Sequence, residues 1–234
     1  MGRLLAILLC FCCLTSPALA AQATLTEVVA TLEAGYADLR DLQADFSQTT
    51  TLAGFPKPQK GHGALALRRP SGAAAQFRFD YTVPKQVIIS NGKQVWFYQP
   101  DNRQVLVSSL EGMFRGGNGI ALAYLTGLGN VAKDFSASLA NQAQDKQGNY
   151  QLELIPKRPT ITLAKLRLTI DGTAVGRYQA DKALQNTFPI LSSVVVDASG
   201  NQTRIDYSRI KVNSGLSTAR FSFKVPQGVE IIKP

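Results

Sequence analysis

Cysteine is confined to the first thirteen residues. Cys10, Cys12 and Cys13 lie in MGRLLAILLCFCCLTSPALA, where Arg3 precedes an apolar run from Leu4 to Leu14, a Pro17 break and the ending Ala18-Leu19-Ala20. That order is a secretory signal peptide with cleavage expected after Ala20, and its run is too short to span a bilayer as a mature helix. None of the three cysteines is placed as a lipoprotein signal requires. The mature chain, residues 21–234, is expected to hold no cysteine, which excludes disulfides, thiolate catalysis and thiolate metal sites. Histidine is nearly as scarce. His62 is the only one, so a histidine metal site is excluded, and its Gly61-His62-Gly63 setting reads as a turn at a strand entry rather than a general base.

Acidic residues form no close pair suited to glycoside hydrolysis or metal binding. Gly116-Gly117-Asn118-Gly119 lacks the Gly-Lys-Ser/Thr ending of a phosphate loop, Thr126-Gly127-Leu128-Gly129 is a weak glycine pattern, and no Gly-x-Ser-x-Gly elbow occurs. The expectation is a protein that is not an enzyme, with no cofactor and no metal. Acidic charge is also in the minority. Removing Arg3 leaves 24 of the 25 Lys and Arg against all 16 Asp and Glu, a net of +8. In an exported chain such a balance favours anionic membranes or acidic partners over nucleic acid, but the basic residues are scattered, as on an ordinary solvated surface.

What the chain does have is alternation. TLTEVVATLEAGYADLRDL opens with Thr24 and Glu27 at capping-box spacing and sets Leu25, Val28, Val29, Leu32, Tyr36 and Leu39 at helical intervals. From residue 42 the pattern turns to strands, predicted at 42–52, 63–69, 77–82, 86–90, 94–98, 104–108, 135–139, 150–155, 163–170, 190–196, 202–212 and 220–225. The remaining 214 residues suit one all-β domain. A second helix, short and flanked by glycines, is predicted over 114–129 with Ile120, Leu122, Tyr124 and Leu125 as its apolar residues.

The stretch KQVWFYQP carries bulk on both faces of one strand. With Asn91-Gly92 as a two-residue turn, Ser90 pairs with Lys93 and Val87 faces Trp96, which puts Val87, Ile89, Trp96 and Tyr98 on one side and Ile88, Val95 and Phe97 on the other. Sets such as Phe77/Phe79/Tyr81, Val87/Ile89, Trp96/Tyr98, Ala164/Leu166/Leu168/Ile170 and Phe221/Phe223/Val225 then line the concave side of a curved antiparallel sheet, closed by the two helices over a filled interior or an apolar cavity. In GALALRRP, Leu65, Leu67 and Arg69 alternate onto one side. Arg69 is either a strand-end residue reaching solvent or a fork of donors that bonds backbone carbonyls of a covering helix.

These residues resemble the LolA family of periplasmic lipoprotein carriers of Gram-negative bacteria. The matching elements run in order: the signal and first helix, Phe46-Ser47-Gln48, Gly63 through Leu67-Arg68-Arg69-Pro70, Phe77 through Tyr81 and Pro84, Ser90-Asn91-Gly92-Lys93 with Val95-Trp96-Phe97-Tyr98 and Pro100, and Phe221-Ser222-Phe223 with Pro226-Gln227-Gly228-Val229. The resemblance covers essentially the whole mature chain. It implies an incomplete, strongly curved antiparallel β-barrel with a helical lid over an apolar cavity, an α+β protein that is mainly β. It further implies acylated lipoproteins as cargo, taken from an inner-membrane ABC-type release complex and passed to an outer-membrane lipoprotein receptor. In that reading Arg69 latches the lid, Leu65, Leu67, Phe77, Phe79, Tyr81, Trp96 and Tyr98 line the cavity, Ile120, Leu122 and Tyr124 belong to the lid helix, and the carrier is a monomer. Two departures are the long connections at 71–75 and 171–189. A periplasmic sensor of envelope stress with the same half-barrel is the alternative; it usually carries a second domain, for which this chain is short. A receptor would need a lipidated cysteine, and a lipid hydrolase using the same cavity is more distant.

Overall fold

The computed structural model describes residues 22–115, 131–158 and 160–233. Its first helix, α1 (Leu25–Ala37), starts as the spacing predicts: the Thr24 hydroxyl accepts from Glu27 N–H while the Glu27 carboxylate accepts from Thr24 N–H. The face that carries Val28, Leu32 and Tyr36 is buried. There follow β1 (Asp41–Thr51), β2 (Gln59–Arg68), β3 (Gln76–Val83), β4 (Gln86–Ser90), β5 (Gln94–Gln99) and β6 (Gln104–Ser109), then α2 (Leu110–Arg115) and, past residues outside the description, α3 (Val131–Asp134). The second half holds β7 (Phe135–Gln144), β8 (Tyr150–Pro156), β9 (Lys165–Ile170), α4 (Gly172–Asp181), β10 (Ile190–Val196), β11 (Gln202–Val212), a 3-10 turn at Thr218–Phe221 and β12 (Glu230–Ile232).

All twelve strands join one sheet in the order β12-β6-β5-β4-β3-β2-β1-β11-β10-β9-β8-β7. Neighbours are antiparallel except β12 with β6. The two edge strands do not pair with each other, so the sheet curves without closing. α1 lies against its inner side in one core with Leu42, Phe46, Leu65, Leu67, Phe77, Phe79, Leu152, Leu166 and Ile205. Gly63 stands in β2 between Phe46 and Tyr81, whose rings meet edge to face at 4.8 Å, and a Cβ there would collide with the Asp80 carbonyl of β3.

Three expectations are corrected. The β4–β5 turn is centred on Gly92-Lys93, with Gly92 at φ +91°, and Ser90 pairs with Val95 rather than Lys93; the Asn91 carboxamide oxygen accepts from the N–H of Lys93 and Gln94, each at 2.9 Å, and so extends the loop. A slip of two residues preserves the faces. Residues 220–225 are not a strand: the 3-10 turn and the extended chain after it cross the outer side of the sheet, burying Phe221 completely. The segment 171–189 contains α4, which packs on α1 and was not anticipated. Its Asp171 cap is visible in sequence, but only Ala174 and Val175 are buried, too few for a helical stripe to stand out. His62 lies within β2, paired with Ser47 and Val83, and is exposed.

Candidate functional site

The concave side gathers aromatic rings. Phe46, Phe79 and Tyr81 pack with centroids 5.3 Å apart for Phe46–Phe79 and 6.4 Å for Phe79–Tyr81, and Phe77 joins Phe79 at 6.4 Å. Leu65 and Leu67, paired with Phe79 and Phe77 across β2–β3, complete this wall. These five predicted residues, Leu65, Leu67, Phe77, Phe79 and Tyr81, are therefore brought together. Tyr81 donates from its hydroxyl to Gln48 Oε1 at 2.8 Å, and burial pushes that hydroxyl up to about 12.

Trp96 and Tyr98 are elsewhere. Phe77 and Phe79 pair with Ser90 and Ile88, whereas Ile89 pairs with Trp96 and Val87 with Tyr98; directly paired residues share a face, so Trp96 and Tyr98 point outward with Arg78 and Asp80. There they meet Phe223, at 6.1 Å for Trp96 and 5.5 Å for Tyr98. Bulk on this side is explained by a second, smaller core under the C-terminal strap, with Ile89, Val105 and Phe221 fully buried. The inward residues of that hairpin are Ile88, Val95 and Phe97. Ile120, Leu122 and Tyr124 lie outside the described residues.

Arg69 follows β2 and turns back to α1. Its Nη1 donates to the Tyr36 carbonyl at 2.6 Å, its guanidinium lies 5.6 Å from the Tyr36 ring centre, and its own N–H donates to Arg40 O at 2.7 Å. A cation on the last carbonyls of a helix satisfies orphaned acceptors and complements the helix dipole. The bond ties α1 to the sheet. Tyr36 itself packs on Phe188 from the 182–189 connection at 5.4 Å; neither residue was singled out from sequence as part of a site, because contacts between residues so far apart in the chain leave no local signature.

A cleft of about 1160 Å3 opens at this same end and is bordered by Arg40, Asp41, Arg69, Ala73, Gln185 and Asn213, among others. Both long connections noted in the sequence meet there. Its lining is largely charged and amide-bearing, unlike the aromatic wall of the sheet. Among the described residues no group of three or more His, Cys, Asp or Glu is poised to hold a metal ion, and no helix is long and apolar enough to cross a membrane.

An unclosed sheet curved round an apolar core, with α1 packed on its inner side and joined to it by Arg69, is a half-barrel architecture. Residues 37–224 match the family described as outer membrane lipoprotein carrier protein LolA, and the chain belongs to that family. It is similar to the outer-membrane lipoprotein carrier protein of Chromobacterium violaceum, 31% identical over 206 residues that cover 87% of this chain and 86% of that one. The protein of the same name from Nitrosomonas europaea is 31% identical over 193 residues, 82% of each chain. Among solved structures, an uncharacterized conserved protein from Thermus thermophilus shares the fold, with a TM-score of 0.50 at 14% identity, covering 89% of this chain and 98% of that one.

Proposed function

We propose that the protein is a periplasmic, non-enzymatic carrier that shelters the acyl chains of lipoproteins inside the half-barrel. It takes them from an inner-membrane ABC-type release complex and delivers them to an outer-membrane receptor, acting as a monomer after loss of residues 1–20. The observation that carries this reading is the apolar concave wall of Leu65, Leu67, Phe77, Phe79 and Tyr81 lying under α1, which Arg69 holds shut through the Tyr36 carbonyl. Ile120, Leu122 and Tyr124 are assigned to the rest of the lid. Trp96 and Tyr98, turned outward, are not.

Magnitudes favour a latch that opens. Three acyl chains hold roughly 40 methylenes, and at about 0.8 kcal/mol each their full burial would release about 30 kcal/mol. Non-covalent binding saturates near 18–21 kcal/mol, so cargo is partly exposed or part of the gain offsets the opening of α1. Loading then needs an energised donor and unloading runs downhill.

The test is displacement of an apolar fluorescent probe from residues 21–234 by a triacylated lipopeptide and by the same peptide without acyl chains. Saturable displacement by the acylated form alone is expected. Equal displacement by both, or by neither, would overturn the carrier reading.

A further inference from the structure

The interior is not purely apolar. Tyr36 is 1% exposed and its hydroxyl has no hydrogen-bond partner among the described residues. Buried donors in folded proteins are nearly always satisfied, so an orphan inside the lid-to-sheet core needs a reason. Nearby on the sheet, the hydroxyls of Tyr207 and Ser193 lie 2.9 Å apart, both buried. Each carries one hydrogen, and only one of the two can sit between the oxygens. The other is a second donor without a partner among the described residues. Burial raises both the Tyr36 and the Tyr207 hydroxyl, and Tyr207 lies close enough to Tyr36 to raise it further, so both stay protonated donors at any physiological pH.

This interior therefore offers two hydroxyl hydrogens with no acceptor among the described residues, and the cation at its edge, Arg69, already donates to the Tyr36 carbonyl. Such a set suits a neutral group that accepts and cannot donate. A carboxylate would demand a compensating charge. An ester carbonyl meets both conditions. We propose that Tyr36, together with the Tyr207–Ser193 pair, binds the ester carbonyls through which acyl chains are joined to cargo, so that the half-barrel reads the linkage as well as the chains. The idea rests on the carrier reading and deepens it. It also gives the orphan a role: in the empty, closed protein the Tyr36 hydroxyl is unsatisfied, and cargo relieves that cost, lowering the barrier to displacing α1.

The experiment compares a diacylglyceryl lipopeptide with its dialkyl ether counterpart, which has the same chains and no carbonyl, on the wild-type protein and on Tyr36→Phe and Tyr207→Phe. Wild type is expected to prefer the ester form by about tenfold, the scale of one good buried hydrogen bond. Tyr36→Phe should lose most of that preference through the ester form alone, while the empty variant unfolds at the same or a higher temperature because an unsatisfied donor is gone. Tyr207→Phe should lose part of the preference. Equal affinities for ester and ether in wild type, or a Tyr36→Phe variant that keeps the preference or weakens both ligands alike, would overturn the proposal. Ether binding by every protein tests the carrier reading separately: if neither lipopeptide binds wild type, that reading falls first.

Discussion

Arg69 and Asp41 lie on the rim of the same cleft and do opposite jobs with charge. Arg69 donates to the carbonyl of Tyr36, a bond worth about 1–2 kcal/mol to the packing of α1 on the sheet, since a charged donor on a partly shielded acceptor is stronger than a neutral one. Arg69→Leu is expected to accept acylated peptide yet transfer it to a receptor more slowly than wild type, because release is no longer driven by the latch re-forming; transfer between reconstituted membranes measures this. Asp41 accepts from the N–H and hydroxyl of Ser214 at 2.8 and 2.9 Å and from Gly215 N–H at 2.9 Å. Burial works to raise its carboxyl, but these donations and that of Leu216 N–H outweigh it and hold the group below the usual carboxylate range. A depressed folded value means the stabilisation is complete above the unfolded carboxylate range near ~3.9 and is lost as pH falls through the folded value. Asp41→Asn should cost about 1–2 kcal/mol at neutral pH. Urea unfolding at a series of pH values should show that difference shrinking in acid.

At the scale of elements, the joint that matters is between α1 and the 182–189 connection. Gly35 sits in the buried face of α1, and a Cβ placed there would overlap the Pro189 ring, with Cγ at 2.8 Å. A proline ring has no rotamer to escape by, so the helix itself must shift. Gly35→Ala is expected to destabilise the protein by about 1–3 kcal/mol, the usual scale of overpacking, and to speed hydrogen exchange in the last turn of α1 more than in β1 or β2. The Gln179 carboxamide donating to Glu27 at 3.2 Å makes α4 the second support of the same helix. Both supports come from the region that sequence periodicity left as a long connection. An amphipathic stripe reveals a helix only when several turns bury residues on one side, and α4 buries one turn.

The whole molecule has two apolar faces because it has two coverings. Inside, α1 lies over the aromatic wall. Outside, the strap from the 3-10 turn to β12 lies over Trp96, Tyr98 and Ile89, tied down by Arg78 Nη1 donating to Arg220 O at 3.4 Å and by Arg220 Nη1 donating to Gln43 at 3.3 Å. Trp96 is the single tryptophan of the chain, which makes the face assignment measurable. Acylated peptide with bromine on its chains quenches by contact, and the expectation is that it leaves Trp96 emission unchanged while still displacing the apolar probe. The reverse face assignment predicts strong quenching.

Local sequence chemistry determined the elements. The Thr24–Glu27 box starts α1, alternation marks eleven of the strands, and Arg69 stands out as a charge in line with Leu65 and Leu67. Those signals need only neighbours within a turn or a strand. Tertiary structure alone decided which side of the β4–β5 hairpin is inside. Trp96 and Phe79 carry equally good apolar patterns, and only the pairing of Ile88 with Phe79 and of Ile89 with Trp96 separates them. The same holds for Phe221 and Phe223, whose alternation spells a strand that does not form, because packing on an already paired sheet buries their rings without ladder bonds. The orphaned Tyr36 hydroxyl was equally invisible. A donor is unsatisfied only relative to everything around it, and what surrounds Tyr36 comes from Arg69, Phe188 and Tyr207, residues that the fold alone assembles.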